Sequence, residues 1–95
     1  MSFSPTRPTL EFYTRQDCAL CEYGRAVLQQ VLEDRVMRGD PVPRVREIDL
    51  GRRPDLEPSH GARLPVIAVN GEEIALVGSY QAIARFLDRV LGRLA

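Results

Sequence analysis

Cys18 and Cys21 are the only cysteines of this 95-residue chain, and they stand two residues apart in "TRQDCALCEYGRAVL". A thiol attacks a disulfide as the thiolate, and free cysteine, with a pKa of about 8.5, is mostly protonated at neutral pH. A helix N-terminus supplies unpaired amides and partial positive charge that lower this value. The apolar residues that follow, Leu20, Val27, Leu28, Val31 and Leu32, recur at helical spacing to about Arg38, which puts both cysteines in a first turn. Cys18, at the edge, is placed to receive that help. Cys21, one turn further in, remains close enough to attack a mixed disulfide formed on Cys18. The spacing separates a nucleophile from a resolving thiol. Two other readings stand beside this one. Zinc takes about four ligands and the chain adds only His60, so a metal would need ligands from two chains; or the pair carries no chemistry at all.

The elements that position the pair are legible on either side of it. "TLEFYT", Thr9 to Thr14, is short, aromatic and preceded by prolines, and reads as a first strand. Gly39-Asp40-Pro41 stops the helix. "RVREIDL", Arg44 to Leu50, reads as a second strand whose interrupting charges suit a sheet edge, joined to the first by a right-handed parallel crossover. "RRPDLEPSHGAR" is polar and broken by proline, with room for one or two irregular helical turns at most. "VIAV", Val66 to Val69, is continuously apolar and predicts a central strand. Asn70-Gly71 then signals a two-residue hairpin into "EIALV", Glu73 to Val77, an antiparallel partner. Ser79 suits a helix N-cap, and Ile83, Phe86, Leu87, Val90, Leu91 and Leu94 mark the buried face of a terminal helix. The order is β-α-β-(α)-β-β-α.

The bulk properties bound what such a unit can be. The length fits one domain, residues 1–95 with a core over about 9–94, burying roughly 60 to 68% of its unfolded surface. A composition of 44% hydrophobic and 27% charged residues is ordinary for a globular chain. Thirteen basic and thirteen acidic residues cancel, and the scattered arginines form no field of the kind that nucleic acid or an anionic membrane selects. "MSFSPTRPTLEF" has no apolar run after a basic segment, and "LPVIAV" is the longest apolar stretch. No secretory signal or membrane span is therefore expected, and the cytoplasm is the default. A structural disulfide does not persist there, so adjacent thiols point to catalysis or metal.

Together, "LEFYT", the C-x-x-C opening a helix, "LPVIAVNGEEI" with Pro65 before an apolar strand, and "GSY" opening the last helix resemble the glutaredoxin branch of the thioredoxin-like proteins, in particular small bacterial glutaredoxin-like proteins. The resemblance runs from about Thr9 to Leu94. It implies an α/β thioredoxin-like fold with a mixed four-stranded sheet flanked by helices, and a small thiol-disulfide oxidoreductase with Cys18 and Cys21 as its catalytic pair. It implies a cis bond before Pro65, with Pro65 and the backbone of Leu64 docking the incoming disulfide. It implies that Arg15, three positions before Cys18, holds the glycine carboxylate of glutathione or supports the thiolate, and that the amides of Gly78 and Ser79 receive the γ-glutamyl carboxylate. The substrate is then a protein or small-molecule disulfide. Reducing equivalents come from glutathione or another dithiol protein, and no bound cofactor, metal, nucleic acid or membrane is called for.

Three residues depart from that pattern. "CALC" lacks the usual proline after the nucleophile. Tyr80 stands where an acidic residue commonly holds the glutathione amine. Asp17 directly precedes Cys18, where its charge opposes the thiolate that Arg15 would favour; alternatively, Asp17 caps the helix. His60, in a polar and proline-bounded loop, is expected to be solvated. Arg52-Arg53 is expected to be a solvated turn, with docking of a partner or anionic substrate as the functional alternative, and Tyr13 is expected to pack, with a ring bordering the site as its alternative. Rivals to the enzyme are a redox-sensing or partner-binding module without turnover, and a dimer sharing a zinc or iron-sulfur site.

Overall fold

The computed structural model describes residues 7–75 and 77–93. Strand β1, Thr9–Thr14, is followed by helix α1, Ala19–Arg38, and strand β2, Arg44–Asp49. A run of short turns contains the four-residue helix α2, Glu57–His60; then come β3, Val66–Val69, β4, Glu72–Ala75, and α3, Tyr80–Leu91. The sheet order is β2-β1-β3-β4. β1 and β2 run parallel, with Thr9 opposite Arg44, and the other two pairings are antiparallel. This is an α/β thioredoxin-like arrangement with a mixed four-stranded sheet.

Local chemistry sets the element ends. Gly39 closes α1 in the left-handed conformation, φ 79°, with its N–H donating to Val36 O at 3.0 Å, the cap that glycine makes at least steric cost. Asn70 and Gly71 both have positive φ, 52° and 82°, which matches the twist of a tight hairpin. β4 therefore begins at Glu72, one residue before the predicted Glu73; of the expected strand end, Leu76 lies outside the described residues. β2 stops at Asp49, one residue early, because the Asp49 carboxylate accepts the Gly51 N–H at 2.9 Å and starts a turn. α3 ends at Leu91, before Gly92 at φ 81°, and Leu94, expected on its buried face, lies outside the described residues.

Residues 50–63 differ most from expectation. In place of one or two turns, 3-10 turns at Leu50–Arg52, Pro54–Leu56 and Gly61–Arg63 flank α2 almost without a break. The first two are closed locally: the Arg53 and Leu56 N–H groups donate three residues back, and Arg53 ties to Asp55 at 2.9 Å.

Two apolar clusters result. Leu10, Phe12, Ile67 and Val69 of the sheet meet Leu28 and Val31 of α1 and Ile83, Phe86 and Leu87 of α3. Tyr13, Ile48, Leu50, Leu64, Val66 and Ala68 gather around Cys21. β3 is buried at all four positions, as a central strand requires, whereas edge strand β2 leaves Arg44 to Glu47 exposed. At the far end of α1, Arg35 is wholly buried and donates to Pro41 O at 2.7 Å, to Asp88 Oδ1 at 2.9 Å and to Gly92 O. It fastens α1 to α3, leaving the N-terminal turn of α1 to the site.

Candidate active site

The turn between β1 and α1 places Asp17 in the left-handed region, φ 56°, and returns the chain to an extended conformation at Cys18, φ −117° and ψ 100°. Cys18 is therefore the N-cap of α1. Its Sγ accepts the Cys21 N–H at 3.1 Å, the bond that a serine or aspartate oxygen usually makes. The alternative in which Asp17 caps the helix is thus corrected: Asp17 lies one residue too early, exposed, and the sulfur takes its place.

Cys18 and Cys21 have their sulfurs at disulfide distance and their Cα atoms 5.2 Å apart. Cys21 is fully buried, while Cys18 is partly exposed against the same cluster. Leu64 belongs to that cluster, so the dithiol and the residue before Pro65 share one apolar environment. The Leu64–Pro65 peptide is cis, Pro65 is fully buried, and its carbonyl accepts the Val77 N–H at 3.2 Å.

Gly24 makes this packing possible, and the sequence reading passed over it. A Cβ there would lie 2.7 Å from the Val77 carbonyl oxygen and 3.1 Å from Pro65 Cγ. Only a residue without one lets α1 approach the proline loop so closely. A glycine in the middle of a strong helical pattern was the available signal.

Arg15 pairs with Glu57 at the start of α2 and lines a cleft of about 200 Å³ with Gln16, Asp49, Gly51 and Arg52. Of the two arginines read as a turn, Arg52 reaches this cleft and Arg53 is bound to Asp55. On the other side, Gly78 lies against the exposed Leu20 and Tyr23 side chains, 3.5 Å and 3.3 Å from where its Cβ would stand. Ser79 caps α3, its Oγ accepting the Ala82 N–H at 3.3 Å. The Tyr80 hydroxyl donates to Asp34 on α1. That hydrogen bond holds the Asp34 carboxyl below the usual carboxylate range and pushes the Tyr80 phenol up.

His60 is a correction. It is buried, not solvated: its ring stacks on Tyr13 with centroids 4.3 Å apart and planes at 16°, and Nε2 lies 2.8 Å from Glu73 Oε2. The expectation rested on a loop-like neighbourhood in sequence, and the helical turns of residues 54–63 fold that segment back over the sheet. Tyr13 packs as expected, its hydroxyl 3.2 Å from Glu11 Oε1; burial, followed by the Glu11 charge, pushes its phenol up. Among the described residues no three His, Cys, Asp or Glu side chains are grouped as a metal would need, and no helix is long and apolar enough to cross a membrane.

The glutaredoxin-like domain family (DUF836) matches residues 9–90. The chain is similar to a structural genomics target, XcR50 from X. campestris: its X-ray structure superimposes with a TM-score of 0.69 at 23% identity, covering 84% of this chain and 96% of that one. The solution structure of XcR50 gives 0.63 at 25% identity over 84% and 92%. A malarial protein of known structure gives 0.61 at 13% identity over 90% and 99%. No curated protein matches. The family match spans both cysteines, Pro65 and most of α3, and the chain belongs to the glutaredoxin-like domain family.

Proposed function

We propose that the protein is a thiol-disulfide oxidoreductase in which Cys18 is the nucleophile and Cys21 the resolving thiol. The observation that carries this is the asymmetry of the pair: Cys18 heads α1, partly exposed, with its Sγ accepting the Cys21 N–H, while Cys21 is fully buried behind it. An N–H aimed at the sulfur from a helix N-terminus favours the thiolate. Only the partly exposed sulfur can be reached by a disulfide from solution.

In the forward reaction the Cys18 thiolate attacks one sulfur of the substrate disulfide. The substrate S–S bond breaks, a Cys18–substrate bond forms, and the leaving thiolate takes a proton from water. Cys21 then loses its proton and attacks Cys18 Sγ, releasing the second substrate thiol and leaving the Cys18–Cys21 disulfide. Two thiols of glutathione or of a dithiol protein return the pair to the reduced state. Leu64, in the apolar cluster of Cys21, and Pro65 are proposed as the docking segment for the substrate disulfide, with Arg15 and the Gly78–Ser79 amides as the groups that would receive carboxylates of glutathione.

The test is turnover of a small mixed disulfide, with mass spectrometry of the variants. Cys18→Ser should abolish exchange, and Cys21→Ser should accumulate as a mixed disulfide on Cys18. Exchange surviving in Cys18→Ser, or faster alkylation of Cys21 than Cys18 in the reduced protein, would overturn the assignment.

A further inference from the structure

Leu20 and Tyr23 follow Cys18 on the first two turns of α1, and both are large, apolar and exposed, at 43% and 59%. Neither belongs to the two apolar clusters of the fold. They stand three residues apart and so share one face of the helix, and helical side chains lean toward the N-terminus, here toward the turn that carries Cys18. The backbone of Gly78 closes the foot of this face. A Cβ on Gly78 would stand 3.3 Å from Tyr23 Cδ2 and 3.5 Å from Leu20 Cδ1, so the chain before α3 comes up against both side chains. The result is a ledge of a leucine, an aromatic ring and bare backbone on the helix that Cys18 heads.

The two flanks of Cys18 differ in chemistry. Arg15 and Gln16, which precede it, line the charged cleft with Asp49 and Arg52. Leu20 and Tyr23, which follow it, present apolar surface. The polar side chains next to the ledge are already engaged: Ser79 Oγ accepts the Ala82 N–H, and the Tyr80 hydroxyl donates to Asp34. A disulfide attacked by Cys18 lies over that sulfur, so the substrate chain that leaves on this side rests on Leu20 and Tyr23. A side chain there gains most by being apolar, since it takes the leucine and the ring out of water.

We propose that Leu20 and Tyr23, with Gly78 at their foot, form the surface by which the protein selects its substrate: a peptide segment of another protein that carries an apolar residue beside its disulfide cysteine. The proposal rests on Cys18 as the nucleophile. Tyr23 acts on specificity, touching the residue that flanks the substrate cysteine and not the reacting sulfurs. Leucine at that flanking position should speed exchange over serine by about three- to tenfold.

The experiment uses cysteine peptides with leucine or serine on either side of the cysteine, each carrying thionitrobenzoate on its sulfur as a disulfide. The Cys18 thiolate attacks the peptide sulfur and displaces the coloured thiolate; Cys21 then attacks Cys18 Sγ, and the peptide leaves as a thiol. Rates with the reduced protein are divided by rates with free cysteine, which has no ledge. The leucine peptide should lead in the native protein, and the ratio of leucine to serine rates should fall toward one in Tyr23→Ser and in Leu20→Ser; the second variant covers a failure of the first to fold. Equal rates in the native protein, a ratio that survives in both variants, or glutathione reacting faster than the leucine peptide would overturn the proposal. So would a dimer of the reduced protein that Tyr23→Ser dissolves, since a second copy would then occupy the ledge. Cys21→Ser protein holding the leucine peptide as a mixed disulfide on Cys18, made at alkaline pH with excess reagent, supplies a reading that needs no turnover. NMR contacts between the peptide leucine methyls and the Tyr23 ring are expected, and their absence would overturn the proposal. Should the native protein displace no thionitrobenzoate from any peptide, the oxidoreductase reading falls, and the trapped adduct alone decides whether the ledge holds the apolar residue.

Discussion

Gly24 and Val77 face each other so closely that a Cβ on the glycine would stand 2.7 Å from the Val77 carbonyl oxygen. The carbonyl cannot easily retreat, because the Val77 N–H is bonded to Pro65 O at 3.2 Å. Pro65 itself, 3.1 Å from the same point, closes the other side.

Gly24→Ala therefore sets two terms against each other. Alanine is favoured in a helix by about 1 kcal/mol, and overpacking against a backbone costs about 1–3 kcal/mol. The clash is with backbone and a proline ring, so we expect net destabilisation. The melting temperature of the reduced protein should fall by about 4 to 8 °C for each kcal/mol, and exchange should slow because the turn carrying Cys18 shifts from Pro65. A Tm at or above the native value would show that the loop yields.

Asp17→Asn isolates a charge. With Cys18 as the cap, the carboxylate has no capping role, and asparagine tolerates the left-handed conformation at φ 56° as well as aspartate does. A charge on the order of 7 Å from the sulfur is worth roughly 0.6 to 2.4 kcal/mol between the dielectric of water and an effective value near 20. We expect faster alkylation of Cys18 at mildly acidic pH in Asp17→Asn, in a Cys21→Ser background, and slower alkylation in Arg15→Gln. An unchanged rate in the Asn variant would remove Asp17 from the electrostatics of the thiolate.

Glutathione should be a poor reductant. By the family resemblance its amine needs an acid where Tyr80 stands, and the Tyr80 hydroxyl is engaged by Asp34. A missing charge-assisted hydrogen bond of about 1.5–3 kcal/mol corresponds to a glutathione KM raised by about tenfold or more. Tyr80→Glu should recover part of it. Saturation of the native protein by micromolar glutathione would contradict the prediction.

Acid should loosen the fold through two carboxylates. Hydrogen bonds from Arg25, at 3.0 Å for Nε, hold Glu47 below its ordinary value of 4.5, and the bond from His60, joined by Arg63, does the same for Glu73. A carboxyl whose pKa is depressed on folding stabilises the protein above that ordinary value, and the contribution is lost as pH falls through the depressed one. Urea midpoints should thus drop between about pH 5 and pH 3, and less steeply in the double variant Glu47→Gln, Glu73→Gln. Equal slopes would mean that other groups carry the acid sensitivity.

Much of this architecture was legible because its signals are local. Asn70-Gly71, the apolar run of β3, the period of α1 and the C-x-x-C at its start each lie within a few residues. Those that were not legible depend on contacts between distant segments. His60 reads as a loop residue until residues 54–63 coil and lay it on Tyr13. Arg35 carries no local mark of burial, yet it is enclosed by Pro41, Asp88 and Gly92. Cys18 was placed at the right end of the right helix, but its sulfur was not foreseen as the cap, since capping preferences are written for oxygen.

That sulfur cap sets activity against robustness. Sulfur is a weak acceptor, and a good oxygen cap is worth about 1 kcal/mol over a poor one. Cys18→Ser keeps the geometry and supplies the stronger acceptor, so among reduced proteins the inert variant should be the more heat-resistant, by up to several degrees. A serine variant melting below the reduced native protein would show that the thiol already caps as well as a hydroxyl. The position that would best serve endurance is occupied instead by the atom to which we assign the exchange.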